Sequence, residues 1–447
     1  MATTFLSKTN TTGTSTQKGT ISVWIKGSED PSGNNQTIVA SWGNATNHGA
    51  ILWNGGNKID AFDYQGGYVS QLQTNALLRD SSSWYHVVYS WDTTLSTAND
   101  RQKIYINGVE QTYSTRTNYS QNAATSWNAN SYSMRVGALN SSSYFSGYET
   151  QVIFSDGFQL TPSTFGSVNA TSGIWVGDTS PTVTYGNNGF NLDFANSSDM
   201  GNDVSGNAND FTPSGNLTQA QDCPDNNYST VNINAGKATE YLNSTGLRYG
   251  NTQMNQSGNN AVFISTFANT TGKYYWEMLI DAVGYTTQGV MAYDDLVQNG
   301  GGSYLYTPAT GYGYVYTGNK GNSNSQASYG ASYTSGDYIS VAFDQTNGSI
   351  WFAKNGVWQN NATTSEIGAG TTTYAAYSSM PTNGNVYAAA FGLDNNAVTS
   401  INYGNGTFGI TTLSTTYSPT VGDTGAKFKY NIIPTGFTAI STKGYNA

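Results

Sequence analysis

The chain has 447 residues, 10% of them charged and 37% hydrophobic, with a net charge of −10. That length exceeds one compact domain and suits two. Its 17 basic residues form no patch longer than Lys427-Phe428-Lys429, which excludes nucleic acid as a partner, and no apolar run approaches the roughly 18 residues of a membrane span.

Aromatic residues make up 13% of the chain, too many for a disordered segment. With abundant Gly, Thr, Ser and Asn, they point to short strands separated by tight turns. The lone Cys223 allows no intrachain disulfide. Met1-Ala2-Thr3-Thr4-Phe5 lacks the charged and apolar blocks of a signal peptide. The reading is a protein made in a cytoplasm that carries the Thr-, Asn- and Tyr-rich surface of an exposed adhesive. A virus particle reconciles the two. N-x-S/T sequons such as Asn44 and Asn118 arise by chance in so polar a chain.

Period-2 alternation predicts the elements in chain order. Thr20–Ile25 places Ile21, Val23 and Ile25 on one face, and Trp84–Trp91 reads as a long central strand. Gln102–Ile106 runs into Asn107-Gly108 and then Val109-Glu110-Gln111, the pattern of a two-residue hairpin. Tyr148–Phe154 is one more strand. From 166 to 235 the texture turns to Pro and Asx, which predicts a connecting region holding one or two strands such as Gly189–Phe194.

A second run of strands covers Lys273–Ile280, Gly311–Tyr316, Asp337–Phe343 and Ser349–Phe352. Asn355-Gly356 then leads to Val357-Trp358-Gln359, and Val386–Phe391 and Thr399–Tyr403 follow. In each half the Asn-Gly hairpin comes after a strand ending in Asp (Trp91-Asp92, Phe343-Asp344), so one architecture occurs twice. The predicted fold is all-β: two tandem antiparallel sandwiches, at 1–165 and 236–447, with an irregular linker at 166–235.

Trp84, His86, Val87 and Asp92, followed by Lys103, Tyr105, Asn107, Gly108 and Val109, resemble the strand-and-hairpin signature of the laminin-G/concanavalin-A-like family. The second half resembles a SPRY (B30.2-like) domain through four ordered pieces. These are Gly272–Glu277, Gly336–Asp344, Gly348–Val357, and Asn402-Tyr403-Gly404 with Pro434-Thr435-Gly436-Phe437. Both families imply jelly-roll-like sandwiches. Their order, joined by Asp203–Phe211, is similar to that of structural proteins of tailed bacteriophages. That resemblance implies a virion protein, exposed on the particle as a tail fibre, spike or other appendage. Its implied partners are other virion proteins, further copies of the chain and host-surface polysaccharide. A capsid-decoration or fibre-building subunit and a glycan depolymerase are the alternatives.

The expected chemistry is binding, without catalytic residues. Glycosidases need two carboxylates set across the scissile bond. The nearest approach here, Glu277-Met278-Leu279-Ile280-Asp281, has the wrong spacing and one glutamate. His48 and His86 are too few for a His-rich metal site, and His86 reads as structural. Calcium is the ion that the laminin-G resemblance implies, with Asp199, Asp203 and Asp210 the candidate ligands and Asx turns the alternative. Ligand contact is expected from Tyr304, Tyr306, Tyr312 and Tyr314. Tyrosine rings offer flat faces to sugar C–H groups, and their hydroxyls hydrogen-bond at low entropic cost. Packing of the alternate tyrosines into a core is the competing account. Trp24, Trp84, Trp276 and Trp351 read as core.

Overall fold

A computed structural model describes residues 3–28, 33–140, 142–233, 235, 246–256, 258, 260–295 and 304–445. The chain divides into two compact units, Met1–Gln219 and Ala220–Ala447, each built of antiparallel sheets. Helix among the described residues amounts to short turns such as Thr364–Gly368 and Thr442–Tyr445.

In the first unit a six-stranded sheet is centred on Lys18–Gly27 and Tyr85–Asp92. It faces an eight-stranded sheet in which Gln36–Asn44, Asn47–Trp53, Ile59–Gln65 and Tyr68–Thr74 lie side by side. Alternation decides what goes inside. Ile21, Val23 and Ile25 from one sheet and Ile51, Trp53, Ile59 and Ala61 from the other share one core.

The second unit stacks a seven-stranded sheet, including Lys273–Ala282, Tyr338–Asp344, Ser349–Lys354 and Ala397–Asn402, on a six-stranded one. The latter includes Ala261–Asn269, Tyr285–Ala292, Gly311–Val315 and Tyr387–Asp394. Trp276, Met278, Val341, Phe352 and Phe391 fill the space between them. Trp24, Trp84, Trp276 and Trp351 are all buried.

The two predicted hairpins form, and for the same local reason. Asn107 and Gly108 have φ of 48° and 79°, and Asn355 and Gly356 have 51° and 80°. Both central residues of such a turn must be left-handed, which Asn and Gly adopt at least cost. Each Asn is also bonded twice to the neighbouring strand. Asn107 donates its N–H to the His86 carbonyl at 2.9 Å and accepts the His86 N–H on Oδ1 at 2.8 Å. Asn355 does the same with Tyr338, at 2.8 Å for both bonds. The strand-ending aspartates match too. Lys18 lies opposite Asp92 and pairs with it at 3.0 Å. Lys273 lies opposite Asp344 at 3.4 Å.

The stretch 166–235 does not stand apart as the sequence reading had it. Residues to Gln219 belong to the first unit and those from Ala220 to the second. Phe190–Leu192 adds an edge strand to Gly147–Asp156, and Thr212–Ser214 pairs with Phe5–Thr9. The cause is three apolar side chains scattered in a polar run: Phe190, Leu192 and Phe211 all enter the first core.

Candidate functional site

Tyr304 and Tyr306 are held on the outer face of the six-stranded sheet of the second unit. The Gly-Tyr alternation of Gly311–Val315 explains how. Tyr312 and Tyr314 point into the core, so Gly311 and Gly313 present bare backbone outward. Leu305 sits on that bare surface: a Cβ on Gly313 would come within 3.0 Å of the leucine and one on Gly311 within 2.0 Å of its carbonyl oxygen. Leu305 is fully buried there with Met291, Ala388 and Ala390. Tyr306 lies over Gly321 in the same way, and the Asn324 N–H donates to its carbonyl at 2.9 Å.

A tyrosine cluster results. The rings of Tyr304 and Tyr306 are parallel within 2° at 5.4 Å. Tyr285 lies 4.7 Å from Tyr304 and 5.1 Å from Tyr316. The hydroxyls of Tyr285 and Tyr306 are bonded at 2.9 Å, and the exposed Gln326 donates Nε2–H to the Tyr306 hydroxyl at 2.7 Å. Burial, with the neighbouring Tyr306 hydroxyl, pushes the Tyr285 phenol up to about 12, so it keeps its proton as a donor. Tyr304, Tyr285 and Tyr316 are half-buried, whereas Tyr306 is buried. The site can offer ring surface, hydroxyls and one amide to an uncharged polar ligand.

Tyr312 and Tyr314 are corrected from ligand contacts to core residues. Tyr314 stacks on Phe352 at 5.4 Å, meets Tyr329 and Tyr333, and donates its hydroxyl to the Ala331 carbonyl. Tyr312 packs edge-on against Tyr377 at 5.0 Å. Side-chain direction separates them from Tyr304 and Tyr306. Tyr285 and Gln326 complete the cluster from other elements, and no local pattern in the sequence marks them; Tyr316, which ends the Gly311–Tyr316 run, packs against the core and meets Tyr285 from there. The Gly300–Gly302 run beside Tyr304 lies outside the described residues.

The acidic loop is closed by Asx turns. Asp203 is buried, and both its oxygens are already occupied. Oδ1 accepts the N–H groups of Asn191 at 2.8 Å and Ser205 at 2.9 Å. Oδ2 accepts the Ser205 hydroxyl at 2.8 Å and the Asn209 N–H at 2.9 Å. Asp210 accepts the Asp203 N–H at 2.9 Å, while Asp199 is exposed and bonded to neither. Among the described residues no three His, Cys, Asp or Glu side chains are grouped to hold a metal.

Glu277 and Asp281, the nearest approach to a hydrolase pair, are engaged separately. Glu277 is fully buried. Its carboxylate accepts the N–H groups of Lys429 at 2.7 Å and Tyr430 at 3.0 Å and the Tyr275 hydroxyl at 2.9 Å. Asp281 accepts the Ser400 hydroxyl at 2.7 Å. His86 is buried between Trp24 at 4.8 Å and Trp175 at 5.9 Å. The Trp175 indole donates to its Nδ1 at 3.0 Å. Nε2 therefore carries the proton and donates to Ser22 Oγ at 2.8 Å.

Residues 3–158 match the family described as the concanavalin A-like lectin/glucanases superfamily, and residues 273–405 match the SPRY domain. The chain is thus a two-domain protein, with a concanavalin A-like domain followed by a SPRY domain. Among solved structures it is similar to the SPRY domain of human HERC1, with 19% identity over 34% of this chain and 87% of that one and a TM-score of 0.26. A second is domain 4 of AbnA, an arabinanase of Geobacillus stearothermophilus, with 18% identity, coverage of 33% and 64%, and a TM-score of 0.26. A third is the SAP-like pentraxin of Limulus polyphemus, with 13% identity, coverage of 40% and 88%, and a TM-score of 0.28. No curated protein matches the chain.

Proposed function

We propose that the chain is a structural protein of a tailed-bacteriophage virion, a tail fibre, spike or other appendage that binds host-surface glycans through the tyrosine cluster of its SPRY domain. The observation that carries the binding role is the convergence of Tyr285, Tyr304, Tyr306 and Gln326 on the outer face of one sheet. Half-buried rings beside neutral donors suit a sugar, whose C–H faces stack while its hydroxyls bond. The engaged Glu277 favours binding over hydrolysis, since its carboxyl is fully buried and held by three donors from the chain itself, out of reach of a substrate.

A second reading, a capsid-decoration or fibre-building subunit, draws on a different surface. In the hairpin of Gly166–Val168 and Trp175–Gly177, Val168, Ile174 and Val176 face solvent, as a subunit contact would require.

Location and ligand are tested together. The copy number and position of the chain on the intact particle are mapped by antibody labelling. Binding of the purified chain to host-surface polysaccharide is compared with that of Tyr304→Ala. The proposal expects a surface appendage and roughly tenfold weaker binding, the equivalent of about 1.4 kcal/mol. A chain found only on a non-viral surface would sink the virion reading. Ordered self-assembly without polysaccharide binding would favour the second reading.

A further inference from the structure

Ser325–Ser328 is the outermost strand of the six-stranded sheet of the SPRY domain, and all four of its residues are exposed. It returns from Asn319–Asn322 through a two-residue turn, Ser323 and Asn324, with φ of 51° and 54°. Such a turn makes its flanking residues, Asn322 and Ser325, a hydrogen-bonded pair. Bonded and non-bonded pairs then alternate along the hairpin. Ala327 is thus bonded to Lys320, whereas Gln326 and Ser328 are not bonded to Gly321 and Asn319 opposite them. The next bond has the same phase, since the Tyr329 N–H donates to the Gly318 carbonyl at 3.2 Å. The N–H and C=O groups of Gln326 and Ser328 therefore point away from the sheet, along an open edge.

The other edges of the large sheets are covered or blunted, as soluble proteins require. At the far edge of the same sheet, Ala261–Asn269 is covered. There the Asn232 N–H donates to the Ile264 carbonyl at 2.8 Å, and the Thr266 N–H donates to the Thr230 carbonyl at 2.7 Å. Tyr113–Thr117 carries Arg116, Val109–Glu110 carries Glu110, Leu247–Arg248 carries Arg248 and Thr212–Ser214 carries Pro213. Phe190–Leu192 and Val357–Trp358 have only three and two residues. Ser325–Ser328 has no charge, no proline and no register shift.

We infer that this edge pairs with the same strand of a second copy of the chain. With the strands antiparallel about a two-fold axis, one register satisfies every outward group. It sets Gln326 of each copy opposite Ser328 of the other, and each such pair exchanges two hydrogen bonds. The two Ala327 residues then meet on the axis as a non-hydrogen-bonded pair, their Cα atoms about 4.5 Å apart. Charge selects this occupant. A net charge of −10 makes copies repel over most of their surface, whereas this strand is neutral. Lys320, the one charge of the hairpin, lies on the opposite face from Gln326, where its amine donates to the Ala376 carbonyl at 2.7 Å and sits over the Tyr377 ring at 5.0 Å. Because the axis is perpendicular to the sheet, the tyrosine clusters of both copies share one face. Each Tyr306 lies over Gly321, which sets the two rings roughly 14 Å apart, three strand spacings. The pairing does not depend on what those clusters bind.

The strand covers less than the roughly 800 Å² per partner of a permanent dimer, so the pairing is a concentration-dependent equilibrium. The full chain is followed by sedimentation equilibrium from about 1 to 100 μM, beside Ser328→Pro. A monomer–dimer equilibrium is expected for the wild type. Proline removes the outward N–H of residue 328 and no bond within the sheet. The variant should therefore keep the wild-type melting temperature while its dimerisation weakens tenfold or more. If its melting temperature falls, a pair of thiol variants decides. In a Cys223→Ser background, Ala327→Cys should oxidise to a disulfide-linked dimer at least tenfold faster than Ser325→Cys, whose sulfurs the same register holds too far apart to bond. A chain that stays monomeric at every concentration overturns the inference. So does self-association that a folded Ser328→Pro leaves intact, or equal cross-linking of the two thiol variants.

Discussion

Glu277 sets two effects against each other, and pH decides between them. Its three donors favour the charged carboxylate, whereas complete burial favours the neutral acid. Burial wins, and the group is pushed up from 4.5 to about 7. An acid whose folded pKa is raised holds its proton more tightly in the folded state. Between about pH 4.5 and 7 the unfolded chain releases that proton first, so the second unit loses stability as pH rises. At 1.36 kcal/mol per pKa unit the loss is about 3 kcal/mol, complete above pH 7. Glu277→Gln is the control, because its amide does not titrate. It carries a fixed cost of about 1–3 kcal/mol, since one of the two N–H groups of Lys429 and Tyr430 then meets an NH₂. Urea unfolding of both proteins, followed by tryptophan fluorescence from pH 4.5 to 8, gives the difference. The wild type should be the more stable at pH 5, and its advantage should shrink by about 3 kcal/mol by pH 8. If the advantage grows with pH, the hydrogen bonds outweigh burial and the reasoning fails.

His86 is held neutral by burial, its pKa lowered to about 3. The stability tied to it is complete above pH 6.5 and fades as pH falls from there toward 3. Its ring signals in NMR should report the Nε2–H form unchanged down to pH 5, and Trp175→Phe, which leaves Nδ1 unpaired, should cost the first unit about 1–3 kcal/mol. Gly313→Ala should push Leu305 off the sheet, since the new Cβ would meet the leucine Cδ2 at 3.0 Å while Thr287 Cγ2, at 2.3 Å, crowds it from the other side. A loss of about 1–3 kcal/mol in thermal melts, with weaker glycan binding through the displaced Tyr304, is expected. Unchanged melting would refute the account of how that loop is seated.

Local chemistry was the legible part of the chain. The φ > 0 demand of a two-residue turn is met within Asn107-Gly108 and Asn355-Gly356 themselves, so both hairpins follow from four residues. Alternation in Thr20–Ile25 and Asp337–Phe343 likewise marks an inner face. The tyrosines resisted the same method. Gly311–Tyr316 shows which residues share a face but not which face meets the core. Only the second sheet, packing against Tyr312 and Tyr314, settled that they are interior.

Composition, turn chemistry and alternation therefore determined by themselves an all-β chain with two related sandwiches, because each acts over a few neighbouring residues. Tertiary structure alone decided which aromatic rings face solvent and which stand together. Trp42, His48, Tyr64 and Tyr68 belong to four strands, and strand register, including the shift beside Tyr64, makes them one surface. Register is set by long-range pairing and by what is buried on the far side of the sheet. For that reason the surface is invisible in the linear order of the residues.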